Sequence, residues 1–296
     1  MRNKNCPQIK ILLHQLLAKQ DMIAVELDEL SLTNFERSNV DKVYDTFQET
    51  SNLINKIKEL MPFRDLIETE KAKLDEFFGF SIDVPNPPAE ITKDMVEAWQ
   101  KQQFELHYLP NVKMSNDREF PGWTKKPNNL FYDSVNFGSL SIDSDEVKSG
   151  WVLIDGRQKP YGQNFNAHSY ENDCFKDALA KLEKSGQIKT KNTGSRYDIS
   201  FDELKQVEVM TLLAEVLAVS PDNVSLPRAI DFNILGNLHY QDWDNTENRE
   251  WFSDSLIDDD RHLCGGNSDA GGLSDIRVVD SNFRDKMLGF RLMVRF

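Results

Sequence analysis

The run Pro85-Asn86-Pro87-Pro88 constrains this chain most, because three prolines in four residues admit neither a helix interior nor a central strand. Apolar residues before it fall at helical spacing. Ile9, Leu12, Leu13, Leu16 and Leu17 share one helix face, and Pro7 suits a first helical turn. A second stripe runs through Val40, Val43, Phe47, Ile54, Ile57 and Met61, opened by the capping pair Ser38 and Asp41 and interrupted by Pro62. A third, Leu66, Ile67, Leu74, Phe77 and Phe78, stops at Gly79. No heptad persists, so no long coiled coil is required. The expected organisation is a helical module over 1–84 and a second domain over 89–296. The module either packs as a hairpin on the rest of the chain or serves oligomerisation or docking, with self-association through 1–84 as one outcome.

Beyond the prolines the pattern is mixed. Thr92 can cap a helix running through Trp99 to Phe104. Trp151 to Ile154 is a short apolar strand ended by the turn Asp155-Gly156. Cys174 to Lys184 reads as a helix stopped by Gly186, and the capping box Ser200 with Glu203 opens another over Phe201–Leu217. Helices are expected to end at Pro221, with short strands in the Gly-, Asp- and Asn-rich remainder. Phe290, Leu292, Val294 and Phe296 alternate with polar positions as a half-buried terminal strand.

A net charge of −14 argues against nucleic acid, whose affinity comes from Lys and Arg on phosphates. No apolar run approaches the roughly 20 residues a membrane span needs. The polar, interrupted N-terminus reads as an amphipathic helix rather than a signal peptide, so a cytoplasmic or virion-associated location is expected. Three cysteines, Cys6, Cys174 and Cys264, form no disulfide framework.

Motifs for chemistry are sparse. The histidines, His14, His107, His168, His239 and His262, form no HExxH pair, and no Cys/His set has zinc spacing. There is no nucleophile elbow and no phosphate loop. His168 and Cys174 could form a thiolate pair, set against a surface histidine and a packed cysteine. Asp258, Asp259 and Asp260 are either a solvated loop or a calcium-holding run outside the EF-hand pattern. Neither a cofactor nor a metal is expected.

Arg261-His262-Leu263-Cys264-Gly265-Gly266-Asn267-Ser268, followed by Asn282 to Leu292 with Gly289-Phe290-Arg291, resembles the ending of one branch of the C-type lectin fold. That branch holds the formylglycine-generating enzymes and the variable proteins of diversity-generating retroelements. Leu226-Pro227-Arg228-Ala229-Ile230-Asp231-Phe232-Asn233 resembles the element that precedes this ending. The resemblance covers Leu226 to Phe296, extends loosely to Phe120-Pro121-Gly122-Trp123, and leaves out the helical N-terminus. It implies an α+β, C-type-lectin-like fold of short antiparallel strands with two flanking helices after the helical module. The enzymes of that branch need a cysteine pair for copper, and no cysteine follows Cys264, which stands where the pattern has Arg. Binding is then the expected role, and an enzyme the lesser one.

Two functions from different classes follow. The first is a binding protein, a retroelement target, contacting a protein or other macromolecule. Its expected face is Trp243, Asp244, Asn245, Asn267, Asp269, Ser274, Asp275, Val278, Asp280 and Ser281, with Trp243 as an exposed anchor and Trp251 and Phe252 in the core. Asp269, Ser274, Asp275, Val278, Asp280 and Ser281 are expected to tolerate substitution. The second is a metal- or thiol-dependent enzyme using Cys264 or the aspartates; a buried Cys264 favours the binder.

Overall fold

The apolar stripes of the first sixty residues become two helices, α1 (Pro7–Leu32) and α2 (Arg37–Leu60). The computed structural model describes residues 7–32, 37–60, 63–160, 169–190, 192–257 and 260–296. Half-buried Leu12, Leu16 and Ile23 on α1 and Val43 and Leu53 on α2 form a narrow seam, with buried Thr46 beside it. Lys19 on α1 pairs with Glu49 on α2. The stripes are wider than this seam, so Leu13, Leu17, Phe47 and Ile54 stay exposed, as do Ile11 and Val25. The expected Ser38–Asp41 cap and the positions Ile9, Val40, Ile57, Met61 and Pro62 lie outside the described side chains.

The chain divides into compact units at Leu66/Ile67, not at the proline run. Helix α3 (Arg64–Phe78) buries Leu74, Phe77 and Phe78. Phe78 meets Phe77 and Phe120 edge to face, with centroids 4.9 and 5.0 Å away. A Cβ on Gly122 would lie 2.8 Å from the Phe77 Cα, so backbone packs on backbone there. These contacts put the third stripe in the core of the 67–296 body.

Thr92 caps α4 (Lys93–Lys101), its hydroxyl accepting from the Met95 N–H at 3.2 Å. Gln103 at φ 68° ends the helical path, so Phe104 opens strand β1 (Phe104–Leu109) instead of closing the helix. Next come β2 (Val112–Lys113), α5 (Asn129–Asn136), β3 (Glu146–Val147), β4 (Gly150–Asp155) and α6 (Lys176–Lys184). The Ser200–Glu203 capping box forms, yet its helix α7 (Phe201–Leu204) stops after one turn. Gln206, with ψ 135°, breaks the path before α8 (Val207–Leu217), so the expected single helix is two.

Helices do not end at Pro221. After β5 (Val224–Ser225), the Leu226–Asn233 run enters α9 (Ala229–Leu238). Residues Ala229 through Asn237 are all buried, and a helix enclosed on every side shows no amphipathic stripe. The rest is β6 (Arg249–Ser255), β7 (Arg261–Gly265), β8 (Ile276–Asp280), β9 (Leu288–Gly289) and β10 (Met293–Arg295).

The architecture is mixed α+β. One sheet has the order β1-β4-β10-β5, antiparallel throughout, and β2 pairs with β3. The second sheet has the order β8-β7-β6-β9. Within it Glu250 pairs with Gly265 on one side and Gly289 on the other, antiparallel and parallel respectively. The terminal strand is shorter than the alternation implies. Met293 and Val294 are both buried because β10 lies between two strands, and Phe290, Arg291 and Leu292 just before it are buried as well. Among the described residues no helix is long and apolar enough to cross a membrane.

A chain starting at Ile67 should therefore melt as one body, whereas a chain starting at Pro85 should lose Leu74, Phe77 and Phe78 and aggregate. Thermal unfolding of the two truncations distinguishes this boundary from the proline run; equal melting temperatures would place α3 outside the core.

Candidate ligand-binding face

Arg291 sits at the centre of the frame. Its side chain is fully buried, and its Nε and Nη2 donate to Glu250 Oε2 and Oε1, both at 3.0 Å. Nη1 donates to the Arg157 carbonyl at 3.0 Å and to the Asp155 carbonyl. Nη2 also reaches the Tyr170 hydroxyl at 3.2 Å, and the guanidinium stacks 4.0 Å from the Trp243 ring centroid. A buried guanidinium is tolerated only when its donors are matched in this way. Nearby, Arg196 pairs with Asp155 at 2.9 Å. Burial alone would raise the Asp155 carboxyl, but the guanidiniums of Arg196, Arg157 and Arg291 hold it down at about 2.

Trp243 belongs to this frame, which corrects its expected role as an exposed anchor. It is fully buried and stacked between Phe232 and Tyr240, with centroids 5.1 and 4.5 Å away. Its flanking aspartates suggested a surface position, but the five-residue 3-10 turn Gln241–Asn245 turns the indole inward. Trp251 and Phe252 are fully buried, as expected.

Asp275 is a second hub, which overturns its expected tolerance of substitution. It is 2% exposed. Its Oδ2 accepts from Arg249 Nε at 3.2 Å and the Asn267 N–H at 3.1 Å, and its Oδ1 accepts from Arg277 Nε at 3.0 Å. A Cβ on Gly265 would lie 1.9 Å from the Asp275 carbonyl oxygen, so glycine is obligatory where β7 meets this turn. Asn267 is buried and caps the turn Ser268–Ala270 through its Oδ1. Asp244 accepts from the Leu273 N–H at 2.7 Å and pairs with Lys125. Ser281 is buried too, its hydroxyl 2.8 Å from His262 Nδ1 and its N–H donating to the Asp260 carbonyl at 2.9 Å. Five of the expected contact residues thus hold the backbone in place: Trp243, Asp244, Asn267, Asp275 and Ser281. Asn245, Asp269 and Asp280 are exposed, and Ser274 and Val278 are half-buried.

The concave part of the face lies one residue out of register with the expected set. A recess of 140 Å³ is lined by Arg249, Cys264, Arg277, Val279, Phe283, Asp285, Met287 and Leu288. Alternation along β8 sends Arg277 and Val279 to the recess and Val278 to the other side. The sequence offered no register, because Arg277, Val278 and Val279 all fit a strand. Phe283 is 44% exposed and supplies an apolar edge. Small-molecule pockets usually run about 300–1,000 Å³. This recess is smaller, and fits one side chain projecting from a larger partner.

Cys264 forms part of the recess wall, but burial pushes its thiol up to about 12, so it stays un-ionised near neutrality. Burial likewise raises the half-buried Cys174 thiol to about 11, and His168 lies outside the described residues. Of the acidic run, Asp258 and Asp259 also lie outside them, and Asp260 is exposed. Comparison with known proteins finds no matching family model, no matching curated protein and no matching solved structure.

Arg291→Ala should cost about 3–5 kcal/mol, because it strands the buried Glu250 carboxylate. In the intact protein, Asp155 adds stability that is present above the ordinary carboxylate range and is lost as pH falls from about 4 toward 2. Urea unfolding across pH 2–7 reads both effects. An Arg291→Ala midpoint equal to that of the parent would show that the pair does not hold the fold.

Proposed function

We propose that this chain is a ligand-binding protein that carries its contact face on a C-type-lectin-like core, of the kind diversified by retroelements. One observation carries the reading: the residues that fix the backbone and the residues that face solvent are different sets. Arg291, Glu250, Asp275, Asn267 and the glycines at 265 and 289 fix the path of the segment between them. Asp280 and Phe283 project from that path into solvent. Contacts can change in such a protein without loss of the fold. The Gly289-Phe290-Arg291 ending, the short mainly antiparallel strands and the helices α6 and α8 support the lectin-like reading.

The recess size and the mixture of arginines with an apolar edge favour a protein partner. A net charge of −14 disfavours nucleic acid. The un-ionised Cys264 thiol weighs against thiol catalysis. Exposed Ile11, Leu17, Val25 and Phe47 on the helical hairpin support self-association through the first module.

Two experiments test this. In a substitution scan scored by folding yield, changes at Asp280 and Phe283 should stay within about 0.5 kcal/mol of the parent. Changes at Gly265, Asp275, Glu250 and Arg291 should lower the yield severely; equal sensitivity of the two sets would sink the reading. Sequencing the gene from independent isolates should find substitutions concentrated in the codons of the first set, beside a reverse-transcriptase gene. An even spread of substitutions would remove the retroelement part and leave the binding part standing.

A further inference from the structure

Glu70 on α3, His107 on β1 and His239 at the end of α9 are remote in sequence and converge in the 67–296 body. One carboxylate oxygen and one nitrogen from each imidazole lie within 4.8 Å of one another. The site is enclosed: the three side chains are 3%, 6% and 2% exposed. His107 Nδ1 is 3.0 Å from Glu70 Oε1. His239 Nε2 is 3.7 Å from Glu70 Oε2, too far for a hydrogen bond, and this buried nitrogen has no hydrogen-bond partner. A buried polar atom is rarely left unpaired, so this one points to a missing partner.

The surroundings of His107 match what a metal ligand needs. A ligating imidazole is oriented by a partner on its other nitrogen. His107 Nε2 has the Tyr240 hydroxyl at 2.5 Å and Glu105 Oε2 at 3.5 Å, and Tyr240 donates to Glu105 at 3.1 Å. Glu70 Oε2 accepts from the Tyr108 N–H at 3.2 Å, which anchors the carboxylate, and an ion would replace the proton shared by Oε1 and His107 Nδ1. His239 also borders a 390 Å³ cavity whose lining includes Gly156, Gln158, Tyr240 and Gln241.

We propose that Glu70, His107 and His239 bind one divalent transition-metal ion of the zinc type, with the remaining coordination position open to this cavity. Two imidazoles and one carboxylate suit that borderline ion better than calcium or magnesium, which take oxygen. The site is not closed around an ion as it stands. The two imidazoles stack with centroids 3.8 Å apart and planes 28° from parallel. Both cannot aim in-plane lone pairs at a common ion until one turns about its Cβ–Cγ bond. His239 is the ring that can turn, because its Nε2 has no hydrogen bond to lose; the surface amine of Lys73, which donates to Nδ1 at 3.2 Å, must then leave so that the ring proton can move from Nε2 to Nδ1.

The test uses the full chain, stripped with a chelator and titrated with Co²⁺ and then Zn²⁺. One equivalent of Co²⁺ should produce the visible absorption of a four- or five-coordinate ion, and Zn²⁺ should displace it. His239→Gln should weaken Co²⁺ binding at least tenfold and remove the absorption. Imidazole NMR signals of His107 and His239 in the unmodified protein should shift on adding Zn²⁺, a readout that needs no variant to fold. No stoichiometric binding, an absorption that survives in His239→Gln, or ring signals that stay unmoved at saturating Zn²⁺ would each overturn the site and leave a hydrogen-bonded cluster.

Discussion

The buried pair between Arg291 and Glu250 is the interaction on which the rest of this structure depends. Glu250 lies on β6 at the middle of the second sheet, and Arg291 lies just before the terminal strand of the first. One bidentate ion pair therefore ties the two sheets together. The guanidinium also binds the carbonyls of Asp155 and Arg157 at the end of β4 and the Tyr170 hydroxyl, so three parts of the chain meet its N–H donors while Trp243 stacks on its face. Hydrophobic residues of suitable volume could give as much stability or more. The pair instead makes position specific, because the donors are satisfied in one arrangement.

That specificity bears on the proposed function. A face that makes new contacts needs a backbone that does not respond to its own side chains. Asp275 and Asn267 meet this need locally with bonds to main-chain and arginine N–H groups rather than through packing by exposed residues. The proposed metal site is built on β1, α3 and the end of α9, and it meets the frame at Tyr240, which stacks on Trp243.

Features set by neighbouring residues were legible in the sequence. The Thr92 cap, the Ser200–Glu203 box, the stop at Gly79 and the strand at Trp151–Ile154 need only a few consecutive positions to specify them. Features set by the tertiary fold were not. Helix α9 is buried on all sides and carries no periodic signal. Trp243 sits between two aspartates and looks exposed, although its indole turns inward. Arg277 and Val279 could not be separated from Val278 without the register of β8. Glu70, His107 and His239 share no spacing motif, and only the packing of three remote elements joins them. The Gly265-Gly266 and Gly289-Phe290-Arg291 segments stood out in the sequence, though the reason for them, contact of backbone with Asp275 and with the Tyr197 ring, required coordinates.

Glu250 pairs with Gly265 on one side and Gly289 on the other, so everything between those glycines is one excursion whose two ends are fixed on a single residue. The cost of closing such a loop grows only logarithmically with its length, about 0.6 kcal/mol for each doubling. Its length is therefore almost as free to vary as its side chains. Residues added near Asn282 and Phe283, beyond β8, leave both anchor points and the Asp275 hub where they are, so the same frame could present a longer or differently shaped excursion.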